Sequence, residues 1–380
     1  MPQPFRVLQV ATIMNRGGLE TMLMNYYRHI DRSKVQFDFL VHRAERGAFD
    51  DEIEAMGGKI FRMPPIHPRY FYQYYKALNT FFATHPEYTI VHSHLDVLST
   101  FVLHAAKKHG VPVRIAHSHN TSFSDTGLRK AFKLWSRAHL NAQCTHFFAC
   151  GVEAGIFQYG QELVDAGKLT VLHNGIDTAD FTFCRQTRDR LRREMGLDDA
   201  LVIGHVGRFA PQKNHAFLLD IFSKIVKLQP SARLLLVGDG DLRPSMEEKA
   251  ASLGLHDKVI FTGVRANVNE LMMAMDLFLF PSLYEGFPVT GIEAQCAGLP
   301  VLAASTITPT AALTSNVCFM PLERPPREWA QKAITMIKAA HENNRIKGAA
   351  AITTQGYDIA ECAQWLQDFY LNFARKDLEL

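Results

Sequence analysis

The sequence predicts an α/β protein of two domains, each built on a parallel sheet covered by helices. Three observations carry this. Short apolar runs alternate with stretches of helical spacing along the whole chain, the order expected when parallel strands are joined by helical crossovers. The length, 380 residues, exceeds one ordinary domain and suffices for two cores. A polar, strongly charged run from Asp180 to Asp199 interrupts the alternation near mid-chain, reads as a solvated helix beside a linker, and marks the boundary.

In order, Phe5–Ala11 is an apolar strand that passes through Asn15-Arg16-Gly17-Gly18 into the helical spacing of Leu19 to Tyr26. Further strands are expected at Val35–His42, Lys59–Met63, Thr89–His92, Val113–His117, Thr145–Ala149 and Thr170–His173, with helices near 70–84, 97–109 and 127–142. Asn174-Gly175-Ile176-Asp177 is a turn. Beyond the charged run, strands are expected at Leu201–Val206, Arg233–Val237, Val259–Thr262, Leu277–Phe280 and Val301–Ala303. The last helix, about Ile359–Ala374, gathers Ala360, Ala363, Leu366, Phe369, Tyr370 and Phe373 on one stripe.

Composition narrows the class. A hydrophobic share of 47% and a charged share of 21% are those of a globular protein, and a net charge of +3 gives no reason to expect nucleic acid. The six cysteines are scattered without paired spacing, and the chain enters its first strand without a signal-peptide layout, so a cytoplasmic location is expected. No uncharged apolar run reaches the ~18 residues of a membrane span. Any membrane contact would be peripheral. The segment from His104 to His146 carries Lys107, Lys108, Arg114, Arg129, Lys130, Lys133 and Arg137 against one acid, Asp125, with Phe132 and Trp135 between them. A solvated basic helix explains that run, and attraction to anionic lipid headgroups is the functional alternative.

The stretch from Leu279 to Val301 organises the rest. The strand stops at Pro281, a turn carries Glu285 and Gly286, and a short helix opens with Pro288 in its first position and closes at Gly298 before Pro300. The amides of Val289 and Thr290 then sit at the positive end of a helix, an anion site. Glu285 stands at its mouth and Glu293 lies on the second turn. A phosphate cradle between two carboxylates suits a ligand with phosphates and hydroxyls, such as a nucleotide-sugar. The bland alternative is a buried strand–turn–helix with two incidental acids.

Glu285-x7-Glu293 across this strand, proline and helix resembles the signature of retaining glycosyltransferases of the GT-B fold, the group 1 or family 4 set. The continuation Ala294-Gln295-Cys296-Ala297-Gly298-Leu299-Pro300-Val301 resembles that family too, and Phe280-Pro281-Ser282-Leu283-Tyr284-Glu285 is similar to bacterial capsule and exopolysaccharide transferases. The likeness spans nearly the whole chain and is strongest from Val206 to Ala303. It implies two Rossmann-like domains whose parallel sheets face a central cleft: residues 1–180 for the acceptor, 181–358 for the nucleotide-sugar, and 359–380 as a helix crossing back to the first domain. The implied reaction moves a sugar from a nucleoside diphosphate, UDP most often in this set, to a hydroxyl of a glycan or polyprenyl-linked glycan in surface polysaccharide synthesis. No catalytic metal or other cofactor is expected, and the cytoplasmic membrane face is the implied place of work.

The resemblance also implies roles. Glu293 accepts from the ribose hydroxyls, Glu285 from the donor sugar, and the stretch Gly286, Phe287, Pro288, Val289 and Thr290 holds sugar and phosphates. Arg208 and Lys213, in Gly207-Arg208-Phe209-Ala210-Pro211-Gln212-Lys213, are the expected clamp on the departing diphosphate: a planar fork of donors and a point charge. Gly17 and Gly18 follow strand one as a plain turn or as a donor-phosphate or acceptor contact. Gly238 lets the nucleotide approach a strand end, and Val264 marks the strand end where the base is held. Asp239-x-Asp241 imitates a metal motif of another glycosyltransferase fold but reads as turn chemistry.

Two pairs, His92/His94 and His117/His119, place imidazoles at i and i+2 of extended chain, with no nearby Cys or Glu to complete a metal site. The family carries a donor-sugar histidine here, assigned to His119 with His117 second. After Ser305 the chain reads Thr-Ile-Thr-Pro-Thr-Ala-Ala, where relatives often carry an acid, so no role is assigned to that loop. A glycosidase using both glutamates, a sugar-nucleotide epimerase of the same fold, and a non-catalytic sugar-binding protein are the rival readings.

Overall fold

The computed structural model describes residues 3–123, 125–285, 287–340 and 345–376. It divides into two compact units, Met1–Gly175 with Ile359–Leu380, and Ile176–Asp358. In the first, strands β1 (Phe5–Ala11), β2 (Val35–Val41), β3 (Ile60–Arg62), β4 (Ile90–Ser93), β5 (Val113–Ser118), β6 (His146–Ala149) and β7 (Leu169–Val171) form a parallel sheet in the order β3-β2-β1-β4-β5-β6-β7. Helices α1 (Gly18–His29), α2 (Asp50–Ala55), α3 (Phe71–Thr84), α4 (Ser99–Lys108), α5 (Gly127–Leu140), α6 (Val152–Tyr159) and α7 (Gln161–Asp165) connect them. Because helices cover both faces, the strands are apolar almost throughout; all of β2 is buried, and its one acid, Asp38, is held by the Arg6 guanidinium and the Tyr88 hydroxyl.

The second unit holds α8 (Arg185–Glu194), β8 (Leu201–Val206), α9 (His215–Leu228), β9 (Ala232–Val237), α10 (Arg243–Ser252), β10 (Val259–Phe261), α11 (Val268–Ala274), β11 (Leu277–Phe280), α12 (Val289–Cys296), β12 (Val301–Ala304), β13 (Val317–Met320), α13 (Pro326–Ala339) and α14 (Gly348–Thr354). Its sheet runs β10-β9-β8-β11-β12-β13, again parallel. The last helix, α15 (Ile359–Lys376), belongs to the first unit, where Ala363, Leu366 and Tyr370 join the core around Phe37 and Phe148.

Three expectations need correction. The first unit ends at Gly175, not at residue 180, because the Ile176 amide donates to the Tyr357 carbonyl at 2.9 Å and its side chain packs with Ile292, Cys296 and Ile352. Strand β13 went unread: it is short, only half-buried, and lies at the sheet edge. The charged run is more than a solvated helix. Arg188 donates to the Met273 and Met275 carbonyls and to Asp276, and the buried Arg192 to the Ala274 carbonyl, so α8 caps the C-terminal end of α11.

Candidate active site

Four strand ends of the second unit meet at one edge, where open α/β sheets bind ligands. Their loops are joined by backbone bonds. The Gly207 amide donates to the Val237 carbonyl at 2.9 Å, Gly238 to Gly263 at 2.9 Å, and Phe209 to Asp239 at 2.9 Å. Gly238 is required twice over: its φ is +135°, and a Cβ there would lie 2.2 Å from the Gly207 carbonyl oxygen. Asp239 serves the turn, accepting from the Gly240 amide and from Arg243. Val264 follows Gly263 with its side chain exposed.

The next loop lies against the 3-10 turn Pro211–Lys213. The Leu283 amide donates to the Gln212 carbonyl at 2.8 Å, and Gln212 Nε2 donates to the Tyr284 carbonyl at 3.0 Å and to Glu285 at 3.3 Å. Lys213 Nζ sits 2.8 Å from Glu285 Oε1 and 5.2 Å from the centroid of the Phe280 ring. Both partners of this ion pair are largely shielded, with side chains 16% and 6% exposed. The sequence assigned them separate tasks; the structure joins them, because the Lys213 stem packs along Gly207 toward the Glu285 loop. Arg208 is exposed, and no ion pair engages it among the described residues.

Helix α12 starts one residue later than expected. Pro288 has ψ 63° and caps the helix from outside it, so Val289 is the first helical residue. The anion site shrinks accordingly. The Val289 amide is taken by the Phe287 carbonyl at 3.0 Å, and Gly291 and Ile292 both donate to the Pro288 carbonyl. Thr290 remains: its amide has no partner among the described residues, and its buried hydroxyl has none either. Phe287 points elsewhere, stacking on Tyr357 at 5.9 Å, and Gly286 lies outside the described residues. At the far end Gly298 (φ +67°) closes the helix, with the Leu299 amide reaching back to the Ala294 carbonyl.

Glu293 lies on the second turn of α12, largely shielded from water. Burial pushes its carboxyl up to about 7, with Lys213 pulling the other way. Lys213 therefore acts on both glutamates. Three residues that the sequence reading passed over border this region. Ser282 Oγ is buried without a partner, and Thr306 donates to the Ser282 carbonyl at 2.8 Å. His205 donates from Nδ1 to the Leu279 carbonyl, leaves Nε2 unpartnered, and would meet a Cβ on Gly207 at 2.9 Å. His215 stacks on Phe209 with both ring nitrogens unpartnered. Ser282 follows the end of β11, whereas His205 lies within β8 and His215 opens α9, so no common sequence signal marked them. Buried polar atoms without partners are costly and rare, and those of His205 and His215 lie where Lys213 acts on both rings.

In the first unit, Gly17 is the N-cap of α1 and Gly18 its first residue. A Cβ on Gly17 would meet the Glu20 carboxylate at 2.3 Å, so Glu20 folds back over that helix start as in a capping box, while space above Gly18 is open. The two histidine pairs, read separately in the sequence, form one cluster. Parallel pairing of His92 with Ile115 and of Ser93 with Ala116 brings His92, His94, His117 and His119 to a common face, and ligand atoms of the first three lie within 4.8 Å of one another. His117 is fully buried; His119 is half-buried. A cavity of about 570 Å³ opens nearby in the chain, lined among others by Ile66, Leu98, Leu128, Phe132, Arg43 and Arg129. No described helix is long and apolar enough to cross a membrane.

Comparison with known proteins identifies the family and the fold. The family described as glycosyl transferases group 1 matches residues 200–339, and glycosyltransferase family 4 matches residues 16–180. The Bacillus subtilis (strain 168) protein EpsF, named as a glycosyltransferase, is 38% identical over 377 residues, 98% of each chain. The Escherichia coli UDP-Gal:alpha-D-GlcNAc-diphosphoundecaprenol alpha-1,3-galactosyltransferase is 30% identical over 58% of each chain. Anabaena HepE, solved in complex with UDP, shares the fold at a TM-score of 0.78 and 21% identity, covering 97% of this chain and all of its own. The chain is a glycosyltransferase of the GT-B fold and belongs to the group 1/family 4 glycosyltransferases.

Proposed function

We propose that the protein is a metal-independent, retaining hexosyltransferase that takes its sugar from UDP and places it on a hydroxyl of a lipid-linked glycan in surface polysaccharide synthesis. The observation that carries the reading is Lys213 held between two acids, paired with Glu285 at 2.8 Å and acting on Glu293, with the Ser282 and Thr290 hydroxyls on the Glu285 loop and the start of α12 buried and without a partner among the described residues. A sugar diphosphate supplies anionic oxygens to the lysine and the two hydroxyls, and hydroxyl donors to the two acids. Two carboxylates alone would also suit a glycosidase, but that reaction leaves the anion-binding groups without a partner. The name of the Escherichia coli relative, with its UDP-sugar donor and diphosphoundecaprenol acceptor, supports the choice of substrates, as do UDP and UDP-glucose in the HepE structures.

In this reading Glu293 accepts from the ribose, Glu285 accepts from the sugar, and Lys213 and Arg208 stabilise the diphosphate as the C1–O bond breaks. The acceptor oxygen attacks C1 on the face that the diphosphate leaves, and the acceptor proton passes to a diphosphate oxygen. The first unit takes the acceptor, its apolar cavity suiting a lipid and Arg43 and Arg129 suiting a phosphate. Leu128 and Trp135, exposed on α5 beside Arg129, Lys130 and Lys133, suit peripheral contact with an anionic cytoplasmic membrane face.

A thermal-shift panel of nucleoside diphosphates and their sugars tests this, since a ligand that binds the native state stabilises it by RT ln(1 + [L]/Kd). UDP is expected to raise the melting temperature of the parent, Lys213→Met to lose most of that rise, and Glu285→Ala to keep it while losing turnover. Release of free sugar from a simple glycoside, or conversion of the donor without acceptor, would refute the reading in favour of a glycosidase or an epimerase.

A further inference from the structure

The histidines of the first unit are linked, through Gln9 on β1 and Tyr370 on α15, into one chain of hydrogen bonds. His119 Nε2 meets His94 Nδ1 at 3.0 Å, and His94 Nε2 meets Gln9 Oε1 at 3.0 Å. Gln9 Nε2 donates to Tyr370 Oη at 3.2 Å, Tyr370 Oη meets His92 Nδ1 at 2.7 Å, and His92 Nε2 meets His117 Nδ1 at 3.2 Å. Every member except His119 is buried. The His92 and His117 rings are inclined by only 17° with centroids 5.2 Å apart. His92, His94 and His117, whose ligand atoms lie close enough to share a metal ion, each commit at least one ring nitrogen to this chain.

A neutral imidazole carries one N–H and one lone pair, so the direction of each bond dictates the next. Burial favours the neutral form of all four rings. The carbonyl oxygen of Gln9 accepts, so His94 bears its proton on Nε2. Its Nδ1 is then a lone pair and accepts a hydrogen bond from His119 Nε2–H. The outer nitrogen of His119, Nδ1, is left as an acceptor, and no described residue donates to it. On the other arm Gln9 donates to Tyr370, Tyr370 to His92, and His92 to His117, whose buried Nε2 ends the chain without a partner.

We propose that Gln9 and Tyr370 are positioning residues: together they fix the tautomer of His119, so that its Nδ1 is offered as a hydrogen-bond acceptor to a substrate hydroxyl. Tyr370 holds the Gln9 amide in one orientation, and the amide sets the two histidines beyond it. The substrate half of this statement rests on the glycosyltransferase reading above; the tautomer half does not.

The full-length protein, labelled with 15N-histidine, tests it by NMR, His119 being assigned from its loss in His119→Gln. The expected result is His119 as the Nε2–H tautomer, with a coupling across the hydrogen bond to His94 Nδ1. Gln9→Leu, and Tyr370→Phe as a variant that keeps the ring, are expected to abolish that single tautomer and its coupling. They should also lower kcat on the order of tenfold, the scale at which outer partners of an active imidazole act, with the UDP melting shift unchanged. His119 found as the Nδ1–H tautomer overturns the proposal. So does a coupling that survives both variants, a kcat that neither changes, or a stoichiometric metal ion in the purified protein. The NMR arm needs no donor, so failure of the donor reading and failure of this one are told apart.

Discussion

Replacing Glu293 by glutamine (Glu293→Gln) is expected to make the protein more stable above neutral pH while removing its nucleotide affinity. The carboxyl is largely shielded from water, and no hydrogen bond reaches it among the described residues, so burial raises it from an ordinary 4.5 to about 7. Each pKa unit corresponds to ~1.4 kcal/mol, so keeping the ionised form in the folded protein costs about 3 kcal/mol. The sign follows from linkage. Between 4.5 and 7 the folded chain holds a proton that the unfolded chain has released, so stability falls as pH rises through that window and stays low above it. The glutamine amide does not titrate. Variant and parent should therefore melt together near pH 4 and separate progressively, with the variant ahead by about 6–12 °C at pH 8 for a unit of this size. Calorimetry from pH 4 to 8.5, with and without UDP, reads both effects. In the parent the ribose should select the carboxylate, so UDP affinity should rise with pH up to about 7; in the variant the UDP shift should vanish. A melting difference that is constant with pH would refute the burial cost, and a variant that binds UDP like the parent would refute the ribose role of this residue.

Gly238→Ala should cost about 3 kcal/mol through backbone strain and crowding, because φ is +135° and the new Cβ would press on the Gly207 carbonyl. The displaced Gly207 loop carries Arg208 and Lys213, so the UDP melting shift should shrink with it; an unchanged shift would show that this loop does not bind the nucleotide. The exposed pair Leu128 and Trp135 makes a third prediction. The parent should sediment with anionic vesicles at low salt, each surface charge contributing ~1 kcal/mol, and the double substitution Leu128→Ser with Trp135→Ser should release it. Equal binding to neutral and anionic vesicles would refute a basic-face contact.

Where residue type alone dictates geometry, the sequence was a sufficient guide. Apolar runs alternating with helical spacing foretold the parallel strands, since strands buried on both faces must be apolar. The proline and glycine about α12 foretold that helix to within one residue. The pair Glu285 and Glu293 and the cation Lys213 could be singled out from spacing alone, and the structure brings Lys213 to Glu285 and within reach of Glu293. What stayed hidden depends on distances through space. That Lys213 pairs with Glu285, that Val289 gives its amide to Phe287, and that Thr290 and Ser282 keep unsatisfied hydroxyls all follow from how loops far apart in sequence meet. The histidines make the same point. Along the chain they are two ordinary pairs; pairing of β4 with β5, and the return of α15 with Tyr370, turns them into one hydrogen-bonded chain. Composition and spacing determine which groups the protein owns, because burial and backbone preference are local. Which groups share a proton, a charge or an empty hydrogen bond is decided only by tertiary packing, because those interactions fade within a few ångströms.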